Sequence, residues 1–302
     1  MTRPTTLLPS FAVAASGLMW GVWWLPLRAL EGAGFSGNWA NVAIFVLAAV
    51  VTLPIVRPTW VRQADGHRGL FILALLSGVS ICLWNYSLII GDIVRVTLLF
   101  YLSPVWATLF SFVYFRESVR GWRVASVVLG LAGAAVLIGI ERFGEAPLSL
   151  ADLFALGAGI MFSLMTIYSR TLGAAAGGWQ KTFLSSVVAA GFAVLLVAVT
   201  PSGPIPAAAT VLAASPILLL CMIWQVPLMW LILWGSGHLE SGRVAILLLL
   251  ELVSAVVSAA ILTDEPFGWR EIIGCVLILG AGLIEGVDEL RRSRPLSAPA
   301  PA

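Results

Sequence analysis

The run RVTLLFYLSPVWATLFSFVYFRE (residues 95–117) aligns without a gap on RVAILLLLELVSAVVSAAILTDE (243–265), with 7 of 23 positions identical. The identities include Arg95/Arg243 and Glu117/Glu265. One residue is dropped beyond the match, and GWR at 121–123 then falls on GWR at 268–270. Gly133-Ala134 and Gly139 fall likewise on Gly280-Ala281 and Gly286. Upstream, Asp92 matches Glu240, and Gly17, Met19, Arg28 and Leu30 match Gly159, Met161, Arg170 and Leu172 more loosely. Chance accounts for aligned Leu and Val, but not for Arg, Glu, Trp and Gly recurring at a nearly constant offset. The chain is read as an internal duplication.

The chemistry of the copies says where they fold. Of 302 residues, 60% are hydrophobic and 11% charged, against about a quarter charged in an ordinary soluble domain. Ten apolar spans lie near 8–30, 39–57, 69–90, 96–115, 121–141, 150–170, 180–200, 213–235, 242–262 and 268–286. Each is long enough to cross a bilayer as a helix. Lipid offers the backbone no hydrogen bonds, so helices are required, and the alternating pattern of a membrane barrel is absent from the sequence. The expected fold is an all-α polytopic membrane protein of ten transmembrane helices. Five spans per copy is an odd number, so the second copy enters the membrane from the opposite side. The expected divisions are a first repeat over 1–145, a second, inverted repeat over 146–290, and a cytoplasmic tail over 291–302. Inverted repeats are an architecture of secondary transporters, whose substrate site lies near the midplane between the repeats.

Orientation follows from the basic residues, which are retained on the cytoplasmic side. With the N-terminus inside, the inner segments hold 13 of the 17 Lys and Arg residues. Both termini are therefore expected in the cytoplasm, with the chain in a bacterial inner membrane. The first span is longer than a secretory apolar core and lacks a clear cleavage site, so it is read as a retained helix. Cys82, Cys221 and Cys275 are odd in number and lie inside spans, which argues for packing and against a disulfide framework. The basic RRSRP (291–295) is a topology signal and not a nucleic-acid patch.

Two intramembrane residues carry the strongest functional signal. Pro104 removes a backbone donor and leaves carbonyls near residues 100 and 101 underbonded, which is tolerated where a cavity or a neighbouring helix replaces the partner. Tyr101 and Ser103 lie within a turn of it. Glu251, aligned with Ser103, is a carboxylate near the middle of a span, where its insertion costs about 2.5–3.5 kcal/mol. It should face the bundle interior, as a proton site, as the partner of a substrate ammonium, or as a neutral packing group. Asp92/Arg95 and Glu240/Arg243 repeat an acid three residues before an arginine at the starts of spans four and nine. They are gate candidates on opposite mouths, or helix caps with interfacial anchors.

Thirteen tryptophans divide between span ends, where they suit the interfacial belt, and deeper positions. Trp20, Trp84, Trp106, Trp224 and Trp230 belong to the deeper group, near Asn85, Tyr86 and Gln225. Aromatic faces with a few amides suit a small ligand with an apolar or π body. The candidate cavity residues are Trp20, Asn85, Tyr86, Tyr101, Ser103, Pro104, Trp106, Gln225 and Glu251. No metal or cofactor is expected: His67 and His238 lie in loops, and the sequence carries neither a P-loop nor a dinucleotide-binding glycine pattern. Neither a catalytic constellation nor a nucleotide-hydrolysing domain is visible, so an enzyme is not expected. A membrane enzyme or a receptor-like binding protein are the readings from other classes.

The repeated stretches ESVRGWRVASVVLGLAGA (117–134) and EPFGWREIIGCVLILGA (265–281) resemble the EamA-type repeat of the drug/metabolite transporter superfamily. The resemblance covers nearly the whole chain. It implies ten helices in two inverted halves, with both termini inside and a central cavity lined by helices three, four, eight and nine. Within the superfamily, LMWGVWWLPLRAL (18–30) and the overall pattern are similar to bacterial aromatic amino-acid exporters. That similarity implies Phe, Tyr and Trp as substrates. A drug or organic-cation exporter is the alternative, and a nucleotide-sugar exchanger would want basic cavity residues that the sequence does not offer. Oligomeric state and energy source are left open by the sequence.

Overall fold

The computed structural model describes residues 7–35, 37–60, 67–91, 93–116, 121–139, 148–172, 177–200, 202–262 and 267–293. Its helices are α1 (Leu7–Trp20), α2 (Trp24–Gly32), α3 (Gly37–Trp60), α4 (His67–Ile90), α5 (Ile93–Phe100), α6 (Ser103–Phe115) and α7 (Gly121–Ile138) in the first half. The second half holds α8 (Leu150–Leu172), α9 (Gly178–Val199), the short α10 (Ala208–Ala213), α11 (Ser215–Ser236), α12 (Ser241–Leu248), α13 (Leu250–Leu262) and α14 (Trp269–Ser293). The described residues contain no strand.

Nine helical stretches among the described residues are long and apolar enough to cross a membrane, with α1–α2, α5–α6 and α12–α13 each forming one broken span. The tenth expected crossing is α14. It is 25 residues long, about 37 Å at 1.5 Å per residue. Its acidic last turns, with Glu285 and Asp288, lower its apolar content, and both carboxylates are paired with arginines of neighbouring helices. It packs along α7.

Contacts between helix ends fix two faces of the bundle. On one face, the start of α9 meets the ends of α8 and α11 through Lys181, Ser169 and Leu233. On the same face, the starts of α7 and α12 meet the end of α14 through Arg123, Arg243 and Glu285. We call this the basic face. On the opposite face, Arg95 pairs with Asp152 at 3.2 Å, Asn38 donates to Thr200 Oγ1 at 3.0 Å, and Arg270 donates to the Val136 carbonyl at 2.7 Å.

The two halves pair their helices symmetrically. The α4·α8 contact has its counterpart in α11·α1, and α5–α6 against α8 is matched by α12–α13 against α1. The α3·α9 and α7·α14 pairs map onto themselves. Atomic contacts repeat as well. Ser16 Oγ donates to the Leu228 carbonyl at 3.3 Å, and Ser80 Oγ donates to the Ala158 carbonyl at 2.9 Å. Those are corresponding positions with the donor exchanged: Ser16 and Ala158 each precede a matched glycine, and Ser80 and Leu228 each lie twelve residues before the matched Asp92 and Glu240.

Gly17 and Gly159 let matched backbones approach. A Cβ on Gly17 would lie 3.2 Å from the Leu247 carbonyl oxygen, and one on Gly159 only 2.8 Å from that of Phe100. Pro104 cannot donate to the Phe100 carbonyl as a helical residue would. That carbonyl therefore faces α8 rather than lipid. The span breaks at Tyr101 and Leu102, and its counterpart breaks at Leu249 without a proline. There the amide of Leu249 bonds back to Ile246 (3.1 Å), and that of Leu252 to Leu249 (3.0 Å). These are the three-residue steps of a tightened turn.

Candidate substrate cavity

Both helix breaks open on one cavity at the centre of the bundle. Trp20, Ser77, Ser80, Trp84, Phe100, Tyr101, Ser103, Phe162, Met165, Leu228, Leu248 and Glu251 are among the residues lining it. A second chamber shares Trp20, Ile81, Trp84 and Glu251 with the first, and extends toward the opposite face past Trp23, Asn41, Asn85 and Gln225. Glu251, half-buried as the second residue of α13, and the buried Tyr101 line the same cavity and interact electrostatically. One partner comes from each repeat.

Glu251 is the one charged side chain among the residues lining the two chambers. Their faces are otherwise apolar or aromatic: Trp84 lies 4.3 Å from Phe100 between ring centroids, and Trp20 stacks on Trp23 at 5.9 Å. Asn85 Nδ2 donates to Asn41 Oδ1 at 2.7 Å, tying α4 to α3 beside the second chamber. Gln225 is 1% exposed and its Oε1 has no hydrogen-bond donor.

Toward the basic face the cavity ends on packed apolar side chains, including Val13, Leu73, Leu233, Leu239 and Val244. Behind them lies Lys181, a lysine only 1% exposed. Its ammonium donates to Ser169 Oγ at 3.1 Å and reaches the Ser169 and Leu233 carbonyls at 3.5 Å. Ser169 Oγ donates onward to the Leu233 carbonyl and accepts from Ser236 Oγ. A buried cation is thus held by carbonyls at two helix C-termini, the negative ends of their dipoles.

The expected gate residues take partners from other helices. Glu240 pairs with Arg123, and Arg243 with Glu285 at 3.2 Å and Asp288 at 3.4 Å. Glu285 also receives Arg123 at 3.3 Å and the Ser126 hydroxyl at 2.8 Å. Arg95 pairs with Asp152, while Asp92 lies outside the described residues.

Of the candidate cavity residues, Trp20, Asn85, Tyr101, Ser103, Gln225 and Glu251 line one or both chambers. Pro104 is buried in the first turn of α6 without lining either. Tyr86 packs away from the cavity against Phe154, and Trp106 stacks on Phe110. Trp224 donates to the Met19 carbonyl, and Trp230 stacks between Trp179 and Trp234. Adjacency in sequence grouped Tyr86 with Trp84, whereas neighbours on a helix point 100° apart. Ser77, Ser80, Ile81 and Trp84 recur at helical spacing and share the cavity face. That spacing was the signal by which Ser77 and Ser80 could have been found.

A bundle of broken, symmetry-related spans around a central cavity with one intramembrane carboxylate is the anatomy of a membrane transporter. The profile of the EamA-like transporter family matches residues 7–139 and 149–284, one match per half, and the chain belongs to that family. It is 26% identical over 286 residues to a protein of Bacillus subtilis (strain 168) described as the uncharacterized transporter YvbV, covering 91% of this chain and 89% of that one. A solved crystal structure superposes with a TM-score of 0.70 at 21% identity, covering 97% of this chain and all of the other, a likeness of fold.

Proposed function

We propose that this protein is a secondary transporter that exports small amphipathic metabolites, with aromatic and hydrophobic amino acids as the preferred class. The observation that carries this reading is Glu251, a carboxylate beside the break of one repeat and sharing a cavity of aromatic side chains with Tyr101 at the break of the other. A carboxylate in such a place attracts a cationic group, and aromatic faces suit an apolar or π body. The symmetric pairing of helices supports alternating access by two inverted repeats, 1–145 and 146–290. The basic face, with Arg123, Arg170, Lys181 and Arg243, is the cytoplasmic one by the charge rule, which places both termini in the cytoplasm.

An organic-cation or drug exporter is the second reading, favoured by one specific observation: the charge lining the cavity is negative and no cation among the lining residues offsets it. The deciding experiment is uptake of labelled phenylalanine into liposomes carrying the purified protein, with glutamate as control. Saturable uptake accelerated by trapped unlabelled phenylalanine supports the amino-acid carrier. Folded protein that leaves phenylalanine at the level of empty liposomes but moves a lipophilic amine supports the second reading. Folded protein that moves neither overturns both.

A further inference from the structure

We propose that the chamber beside Glu251 is an amine-recognition site in which Gln225 Oε1 is the second acceptor, so that the substrate's ammonium is obligatory and its carboxylate dispensable. The inference rests on the transporter reading and adds to it the chemical group by which substrates are selected.

Gln225 is almost completely buried, yet its Oε1 receives no hydrogen bond, and the side chain lines the same chamber as Glu251. Asn41 Oδ1 takes the Asn85 amide, and the Ser16 and Ser80 hydroxyls donate to backbone carbonyls. The one charge on the chamber's lining is the Glu251 carboxylate, Gln225 Oε1 adds a buried acceptor without a donor, and no Lys, Arg or His stands among the lining residues. Buried acceptors ordinarily find a donor. An ammonium brings three N–H donors and one positive charge, enough for Glu251, Gln225 and one further contact. The indole faces of Trp20, Trp23 and Trp84 surround the same space and attract cations through their ring quadrupoles. Glu251 and Gln225 stand on different helices, α13 and α11, so an ammonium held between them also joins those helices.

The test is ligand binding to the purified, folded full-length protein, followed by intrinsic tryptophan fluorescence. The probes are hexylamine, hexanol and hexanoate, and in parallel phenylethylamine, phenylalanine and phenylpropionate. The expected order is amine above alcohol and acid in the hexyl series, with phenylethylamine binding at least as well as phenylalanine. Gln225→Leu is expected to weaken hexylamine about tenfold or more, the loss of one hydrogen bond to a charged group, while hexanol binding stays unchanged. Gln225→Glu is expected to raise amine affinity relative to hexanol, and it serves as the reporter should the leucine variant fail to fold. Acids or alcohols binding as tightly as amines would overturn the proposal, as would an amine-to-alcohol ratio unmoved in both variants or the absence of any amine binding. Selective binding of hexylamine without binding of the phenyl compounds would sink the aromatic reading alone and leave the amine site standing.

Discussion

The Tyr101 hydroxyl and the Glu251 carboxyl meet at the centre of the bundle, each from the break in its own repeat's matched span. The two halves thus meet through these side chains at the point where both helices lose their regular ladder. Any motion that separates the repeats there must part them, and any cationic substrate arriving at Glu251 meets Tyr101 beside it.

Glu251→Gln keeps the shape and removes the charge. Transport of amine-bearing substrates is expected to fall by about 100-fold, because the cavity's one charged partner is lost. Any pH dependence of flux that arises from this carboxyl disappears with it. Thermal stability should hold or rise, since a neutral amide is less costly to keep at the midplane than an anion. Tyr101→Phe should weaken transport less. Flux measured in liposomes at several pH values checks the pair, and an unchanged pH profile in Glu251→Gln removes this residue from any coupling mechanism.

Close backbone packing gives a ranked prediction for three glycines. A Cβ on Gly21 would overlap the Glu251 carbonyl and Ser254, one on Gly159 would crowd the Phe100 carbonyl at 2.8 Å, and one on Gly17 would meet Leu247 at 3.2 Å. Overpacking costs about 1–3 kcal/mol, and backbone cannot move aside as a flexible side chain can. Alanine should therefore destabilise most at Gly21, less at Gly159 and least at Gly17. Melting temperatures of the three variants in detergent test the order.

Lys181 holds the basic-face ends of α8, α9 and α11 together through carbonyls rather than a carboxylate. Lys181→Met keeps a long apolar stem and deletes the donors. The basic face is expected to loosen, so a cysteine placed at Met165, in a background without the three native cysteines, should react several-fold faster with a membrane-impermeant thiol reagent applied from that side. Equal labelling rates with and without Lys181 would show that the cluster does not seal the cavity.

How far the sequence disclosed all this depends on whether a signal was local. The repeat was legible because Arg95, Arg243 and the GWR triplets stand out against apolar runs, and the match of Gly17 to Gly159 has a contact behind it in each half. Glu251 was conspicuous because a midplane carboxylate is expensive. The partners were not legible. Arg95 finds Asp152 on α8, and Lys181 folds back on carbonyls, which every residue possesses and no sequence marks. Tyr86 joins the candidates as a sequence neighbour of Trp84 and Trp106 as a deep aromatic, and the helical period turns both elsewhere.

The final prediction concerns Glu285, whose side chain is fully buried between Arg123 and Arg243. Removing one member of a buried ion cluster is costly because it strands the opposite charges. Here two guanidinium groups would be stranded, although Glu240 stays with Arg123 and Asp288 with Arg243. Those remaining partners reduce the loss, so Glu285→Gln is expected to cost roughly 3 kcal/mol, the low end for a broken buried pair. Asp288→Asn should cost less, since its side chain is 13% exposed and water can take over. If the penalty comes from stranded charge, then pairing Glu285→Gln with Arg243→Met should recover part of it. A double-mutant cycle on unfolding free energies measures that coupling, and strictly additive losses would mean that Glu285 stabilises α14 by packing rather than by charge.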